Sequence, residues 1–292
     1  MSRTGTSIWL AAGLAGLSLA LAGTGVQAQA PRGGLSQKQI DDLASKHDGY
    51  YGALAPQNLA RPRPKAPFNL TGTWFIDLRK SFGDFMFGPP YPEFYAPAKQ
   101  AMVDAAAAAK ANKPFRDSIG ECYPAGMPMI MTRVWPIDFI QEPTAIFMIS
   151  GFMNSVRTIY LDGRKPSDPD TVVYSYNGES IGHWEGDTLV VHTRYIEPNQ
   201  HWIDMGLPIS DQFEFTERIR LLDKGKTLQI EYIMTDPKNW KGEWRSTKRW
   251  MRQDYSDIFE VECLPNLNQH LPSTEEGQAA IAGREAGAAG KP

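Results

Sequence analysis

Three of the five histidines, His183, His192 and His201, fall in one stretch of the chain, and histidine moves protons near neutral pH. Glu217 stands in Phe213-Glu214-Phe215-Thr216-Glu217-Arg218-Ile219-Arg220-Leu221, where it alternates in step with Phe213, Phe215, Ile219 and Leu221. A carboxylate on such an apolar face resists ionising unless it is paired, and then serves as a general acid or base. The structural alternative is an ion pair with an arginine of the neighbouring strand. Arg157 and Arg218 are candidates to hold a substrate carboxylate, with Tyr160, Trp184 and Arg194 as further lining. His192, His201 and Glu217 are the candidate catalytic groups. His201 and Asp204 flank Trp202 in a loop, where chemistry at a barrel mouth belongs.

The stretch that must position these groups runs from Asn177 to Ile196. Two alternating runs flank Glu185-Gly186-Asp187-Thr188, a hairpin signal. With the turn centred near Gly186, facing residues sum to about 372 in number. Ser180 then opposes His192, and His192 shares a face with Trp184, Arg194 and Ser180, a mix suited to an anionic aromatic ligand. His183 points the other way, which separates it from His192 and disfavours a shared metal. No His-x-His, H-E-x-x-H or cysteine cluster occurs, so no metal site is assigned. Gly178-Glu179-Ser180-Ile181-Gly182 matches G-x-S-x-G, but a nucleophile elbow sits between a strand and a helix, and here a second strand follows.

The first 28 residues read as a secretory signal peptide: Arg3, an apolar run over 8–23, and Val26-Gln27-Ala28 as cleavage site. The apolar run is too short to span a bilayer, so no membrane span is expected after its removal. Loss of Arg3 takes the formal charge from −3 to −4. That near-neutral balance without a basic stripe excludes a nucleic-acid partner. Cys122 and Cys263 both follow the leader, and in an oxidising periplasm they form one disulfide. Closing a loop of about 140 residues contributes roughly 4–5 kcal/mol on the chain-entropy account. The rival reading is a catalytic or metal-binding thiol.

Residues 29–67 form a polar, proline-bearing N-terminal arm. Leu70-Thr71-Gly72-Thr73-Trp74-Phe75-Ile76-Asp77-Leu78 alternates as a first strand. The 82–95 segment carries six aromatics and is either a lid over an apolar ligand or a plug in a barrel end. A helix is expected over 97–111, with alanines giving it a thin packing face. Met127, Met129 and Met131 are gap-fillers or soft-metal ligands. Strands then follow over 135–141, 144–150, 155–161, 171–176, the hairpin, 213–222, 228–235, 244–251 and 258–263, with a loop over 197–211. One all-β barrel domain of about 9–10 antiparallel strands with one side helix is expected over 68–266. A disordered tail rich in Ala, Gly and Glu covers 267–292.

Gly72-x-Trp74 resembles the opening of the lipocalin-like (calycin) barrels, where the indole plugs the base against an Arg from a late strand. From Cys122 to Asn266 the chain resembles a family of secreted proteobacterial proteins. The resemblance is carried by Cys122-x-Pro124-x-Gly126-x-Pro128, by Ile159-Tyr160-Leu161-Asp162-Gly163-Arg164, and by Gly178-x-Ser180-x-Gly182-x-Trp184-Glu185-Gly186-Asp187-Thr188-Leu189-Val190-Val191. Thr216-Glu217-Arg218, Asp236-Pro237-Lys238 and Glu262-Cys263 complete it. Departures are His183 in place of Arg, His192 in place of an acid, and Pro265 in place of Glu. The resemblance implies breakdown of lignin-derived aromatic compounds, including cofactor-independent removal of a carboxylate. On that basis the expected function is a lyase for a hydrophobic aromatic acid bound in the barrel. A non-catalytic periplasmic carrier of apolar or aromatic ligands, or a structural envelope protein, are the alternatives. No cofactor fingerprint is present, and no oligomeric state is implied.

Overall fold

A computed structural model describes residues 36, 38, 50–77, 79, 86–111, 119, 122–204 and 206–263. The expected signal peptide and tail, and parts of the arm and the aromatic segment, lie outside the described residues. In chain order the elements begin with α1 (Pro56–Leu59), β1 (Gly72–Ile76), β2 (Glu93–Phe94) and α2 (Ala96–Lys110). Next are β3 (Ile137–Gln141), β4 (Ala145–Ser150), β5 (Ser155–Tyr160), β6 (Glu179–Glu185) and β7 (Thr188–Arg194). Then come β8 (Trp202–Asp204), β9 (Leu207–Pro208), β10 (Glu214–Leu222), β11 (Thr227–Thr235), β12 (Trp240–Lys241) and β13 (Glu243–Gln253). Nine of the strands close a barrel in the order β1-β13-β11-β10-β7-β6-β5-β4-β3, with β3 returning to β1.

The all-β barrel with one substantial helix is therefore present, but one contact departs from the antiparallel expectation. Strands β5 and β6 run parallel, through only Ile159↔Ser180 and Tyr160↔Ile181. A parallel pair needs a long crossover to return the chain to the starting end, and residues 161–178 supply it. That is why the strand expected over 171–176 does not form. Its residues belong to the crossover and make only the isolated bridge Ser175↔Ile196, with Val173 left exposed. The strand expected over 258–263 is likewise reduced to one bridge, Phe152↔Val261. The 197–211 loop, conversely, contains the small β8–β9 ribbon.

Inside the barrel, alternation sorts the side chains as period-two patterning requires. Tyr232 and Met234 of β11 face Glu217 and Phe215 of β10, and these face Val191 and Thr193 of β7. Across the barrel, Phe139, Met148 and Arg157 form a row on β3, β4 and β5. Phe87 fills the end near Tyr232 and Trp244, at ring distances of 5.2 and 6.2 Å. The described part of the aromatic segment thus contributes a plug. Met127, Met129 and Met131 are all buried, as packing residues are. Helix α2 presents Ala101 and Ala105 to Gly206, at φ +81°, where an added Cβ would lie 2.4 Å from that of Ala105. The alanine run is what permits so close an approach. No helix among the described residues is long and apolar enough to cross a membrane.

Trp74 is fully buried and donates its indole N–H to Leu70 O at 2.9 Å. The Arg252 guanidinium, from the last strand, lies 4.3 Å from its ring centre, a cation–π contact. Arg252 also donates to Thr71 O and Gly225 O, tying the first and last strands together. The same arginine crowds Gly72: at φ +140°, a value that side chains strain to adopt, an added Cβ would lie 2.3 Å from Arg252 Nη1 and push it aside. Gly72→Ala is expected to cost about 1–3 kcal/mol, read from urea unfolding midpoints. Unchanged stability would show that the closure at Trp74 is looser than described.

Candidate functional site

The β6–β7 hairpin determines which chemistry faces inward. Its turn has two central residues, Gly186 and Asp187, with Glu185 paired to Thr188. Gly186 takes φ +58°, the positive value that the first position of a type II′ turn demands. Facing residues therefore sum to 373, one more than expected, and a shift of one exchanges the faces. Ser180 pairs with Thr193, and His192 pairs with Ile181 and Thr216. His192 is thus on the outer wall, away from Ser180 and Trp184, correcting the expected shared face. There its Nε2 lies 3.3 Å from Glu214 and its Nδ1 receives a bond of 2.9 Å from Arg194. Burial holds the His192 pKa below the usual value against the pull of Glu214.

The inward side carries a polar cluster. Arg157 of β5 reaches Glu217 of β10, with Nη1 to Oε1 at 3.1 Å and Nη2 to Oε2 at 2.5 Å. Its Nε donates to Ser180 Oγ at 3.0 Å and its Nη2 to Thr193 Oγ1 at 2.8 Å. Two strands, β6 and β7, separate the partners in the sheet, so the pair spans the interior rather than joining neighbours. Both side chains are buried, and Phe215 stacks 5.8 Å from the guanidinium. The Tyr232 hydroxyl has no partner in hydrogen-bonding geometry. Burial raises its pKa far above the usual value, and the neighbouring Glu217 raises it further. Glu217 is ion-paired, but to Arg157 across the interior and not to an arginine of the neighbouring strand as expected, so Arg157 already holds a carboxylate of the protein's own.

The other expected site residues are dispersed. Arg218 lies on the outer wall, bonded to Glu185 at 3.0 Å. Tyr160 is covered by the Arg164 guanidinium, 3.6 Å from its ring centre. His201 is buried beside Tyr176 and the Gly126 backbone, where an added Cβ would stand 2.8 Å from Nε2. Its Nδ1 bonds to Glu197 O at 2.9 Å, while Nε2 finds no partner. Burial lowers the His201 pKa to about 4. Cys122 and Cys263 form the expected disulfide, with Cα atoms 5.4 Å apart. Among the described residues no three His, Cys, Asp or Glu side chains are grouped as metal ligands would be.

Two regions of open space adjoin these residues. The first, the arm cavity, measures about 590 Å³ and lies between residues 63–67 and the ends of β5 and β6. Pro64, Pro67, Pro143, Leu161 and Trp184 give it apolar walls, and Arg63, Lys65 and His183 border it. A second lobe of about 380 Å³ shares Trp184, Leu161 and Lys65 and adds Arg61. The arm is held over it by Phe68 against Trp184, 4.7 Å between ring centres, and by Asn58 to Asp162 at 2.9 Å. Burial opposes the charge on Asp162, yet hydrogen bonds from Arg164 and Asn58 prevail and hold its carboxyl at about 2. The other space, the seam cavity, measures about 420 Å³ and lies where β5 and β6 splay, lined by Arg157 and Tyr160 among others. Arg61, Arg63 and Lys65 escape a sequence reading because the arm carries no period that predicts its docking. No protein-family model matches the chain, and no curated protein matches it.

Truncating Glu217 strands a buried guanidinium, so Glu217→Ala is expected to lose about 3–5 kcal/mol in urea unfolding. The apolar pair Arg157→Met with Glu217→Leu should recover most of that loss. A buried neutral histidine favours the unfolded chain once protons are abundant. His201 contributes stability that is full above the unfolded value of 6.5 and falls as pH drops toward about 4. Unfolding midpoints should therefore decline across that window, and His201→Gln should flatten the decline.

Proposed function

We propose that the chain is an exported barrel that binds a small aromatic or apolar anion in the arm cavity without turning it over. The observation that carries this reading is the composition of the cavity wall: Trp184, Leu161 and three prolines beside Arg63, Lys65 and His183. A volume of about 590 Å³ suits a drug-sized molecule, and small-ligand sites combine apolar walls with a few placed polar groups. Lys65 is exposed and makes no hydrogen bond or ion pair among the described residues, which leaves it for a ligand carboxylate. Export agrees with the disulfide, since such bonds persist in oxidising compartments.

A cofactor-independent lyase would need the same binding chemistry and a proton donor at the carbon that loses carbon dioxide. The carbon–carbon electron pair would stay on that carbon and take up the donor's proton. His192 lies on the outer wall, and neither His201 nor Glu217 borders the arm cavity. His183 does border it, bonded to Glu185 at 3.2 Å, and is the group on which a lyase reading would depend. Binding is the reading the geometry supports better.

The test is a titration of the purified chain with substituted benzoates and cinnamates, followed by tryptophan fluorescence. Saturable quenching is expected, weakened about tenfold or more by Trp184→Ala and made less salt-sensitive by Lys65→Ala. Equal affinity in both variants would sink the proposed site. Carbon dioxide release that disappears in His183→Ala would instead establish the lyase.

A further inference from the structure

The seam cavity lies apart from the arm cavity and has different chemistry. Along residues 155–158, β5 has no strand on its β6 side, because β6 pairs only with Ile159 and Tyr160. The chain before β6 is drawn away at Ser175, which exchanges backbone bonds with Tyr195 and Glu197 at 3.2 and 2.9 Å. Asn177 partly fills the missing strand's place, donating to Val156 O at 3.0 Å and Ser155 Oγ at 3.1 Å. That bridge leaves no channel for a full extended peptide, and the remaining space of about 420 Å³ is compact.

Ser155, Thr158, Ser175 and Asn177 give this wall hydroxyl and amide groups, and Tyr160 and Tyr176 give it aromatic rings. The side-chain hydroxyls of Thr158 and Ser175 make no hydrogen bond among the described residues. Among the described residues of the lining Arg157 is the single charged one, and its guanidinium is engaged by Glu217. Among the described residues a ligand here meets no uncommitted charge, and both donors and acceptors are offered.

The disulfide braces two sides of the same space. Pro124 and Ala125, which line it, follow Cys122. Cys263 ends a segment whose Val261 donates to Gly151 O and accepts from Met153 N, both at 2.9 Å. Within that segment the Glu262 carboxylate accepts from the side chain of Asn154, a lining residue.

From this lining we infer that the seam cavity is a second binding site, for an uncharged, hydroxyl-rich small molecule of monosaccharide or disaccharide size. Its recognition is by hydrogen bonds from the Thr158 and Ser175 hydroxyls and to the Asn177 amide oxygen, with tyrosine side chains beside the sugar ring. Titration calorimetry of the full disulfide-bonded chain with glucose, galactose and cellobiose tests it. Saturable binding of at least one sugar is expected, weakened about tenfold by Asn177→Ala and by the isosteric Thr158→Val. Reduction of the disulfide should weaken it as well, since the two braced walls are then released. Absence of saturable binding across the panel would overturn the inference. So would undiminished affinity in both variants, or tighter binding of glucuronate than of glucose.

Discussion

A closed ring of strands can alternate in direction throughout only if their number is even. With nine, one neighbouring pair must run the same way, and that constraint organises this molecule. The parallel contact between β5 and β6 is short, and its crossover occupies residues 161–178. The gap beside it is where the barrel wall opens, and the loops that follow are shaped by the need to return the chain. Gly178, at φ +63° and within 2.5 Å of Arg194 O for any added Cβ, is the point at which the returning chain turns into β6.

From this weak seam the ion pair of Arg157 with Glu217 reaches across the interior. Two charges removed from water gain from each other only when geometry is good and remaining hydrogen-bonding capacity is met. Here the carboxylate accepts two guanidinium bonds, and Ser180 and Thr193 take two more. The pair links a strand at the seam with one three places round the sheet, supplying across the interior what the parallel contact lacks along the edge. The pair thus joins β5 to β10 through the interior, while the open space lies at the seam and under the arm.

Much of this was legible from residue order. Alternation placed Glu217 with Phe215 and Ile219, and the two cysteines formed the one disulfide expected of them. The resemblance carried by Gly72-x-Trp74 implied an indole packed against an arginine of a late strand, and Arg252 lies over the Trp74 ring. What failed did so for physical reasons. A hairpin's faces depend on whether its turn has an odd or even count, which Glu-Gly-Asp-Thr does not reveal. One residue of difference moved His192 outward and brought Thr193 in. The partner of Glu217 was sought on an adjacent strand because pairing rules are local, whereas a barrel also makes contacts through its middle. The docked arm, with its Arg63 and Lys65, has no alternation to betray it.

The clasp of Trp74 by Arg252 has a bearing on how the chain is made. β1 is hydrogen-bonded on one side to β3 and on the other to β13, whose final residues lie some 180 positions later. Contacts of such sequence separation slow folding, because the loop must close before it is rewarded. During synthesis the first strand therefore waits with one edge and a large indole exposed until the last strand has emerged. Over that interval an exposed strand edge and indole invite misassociation.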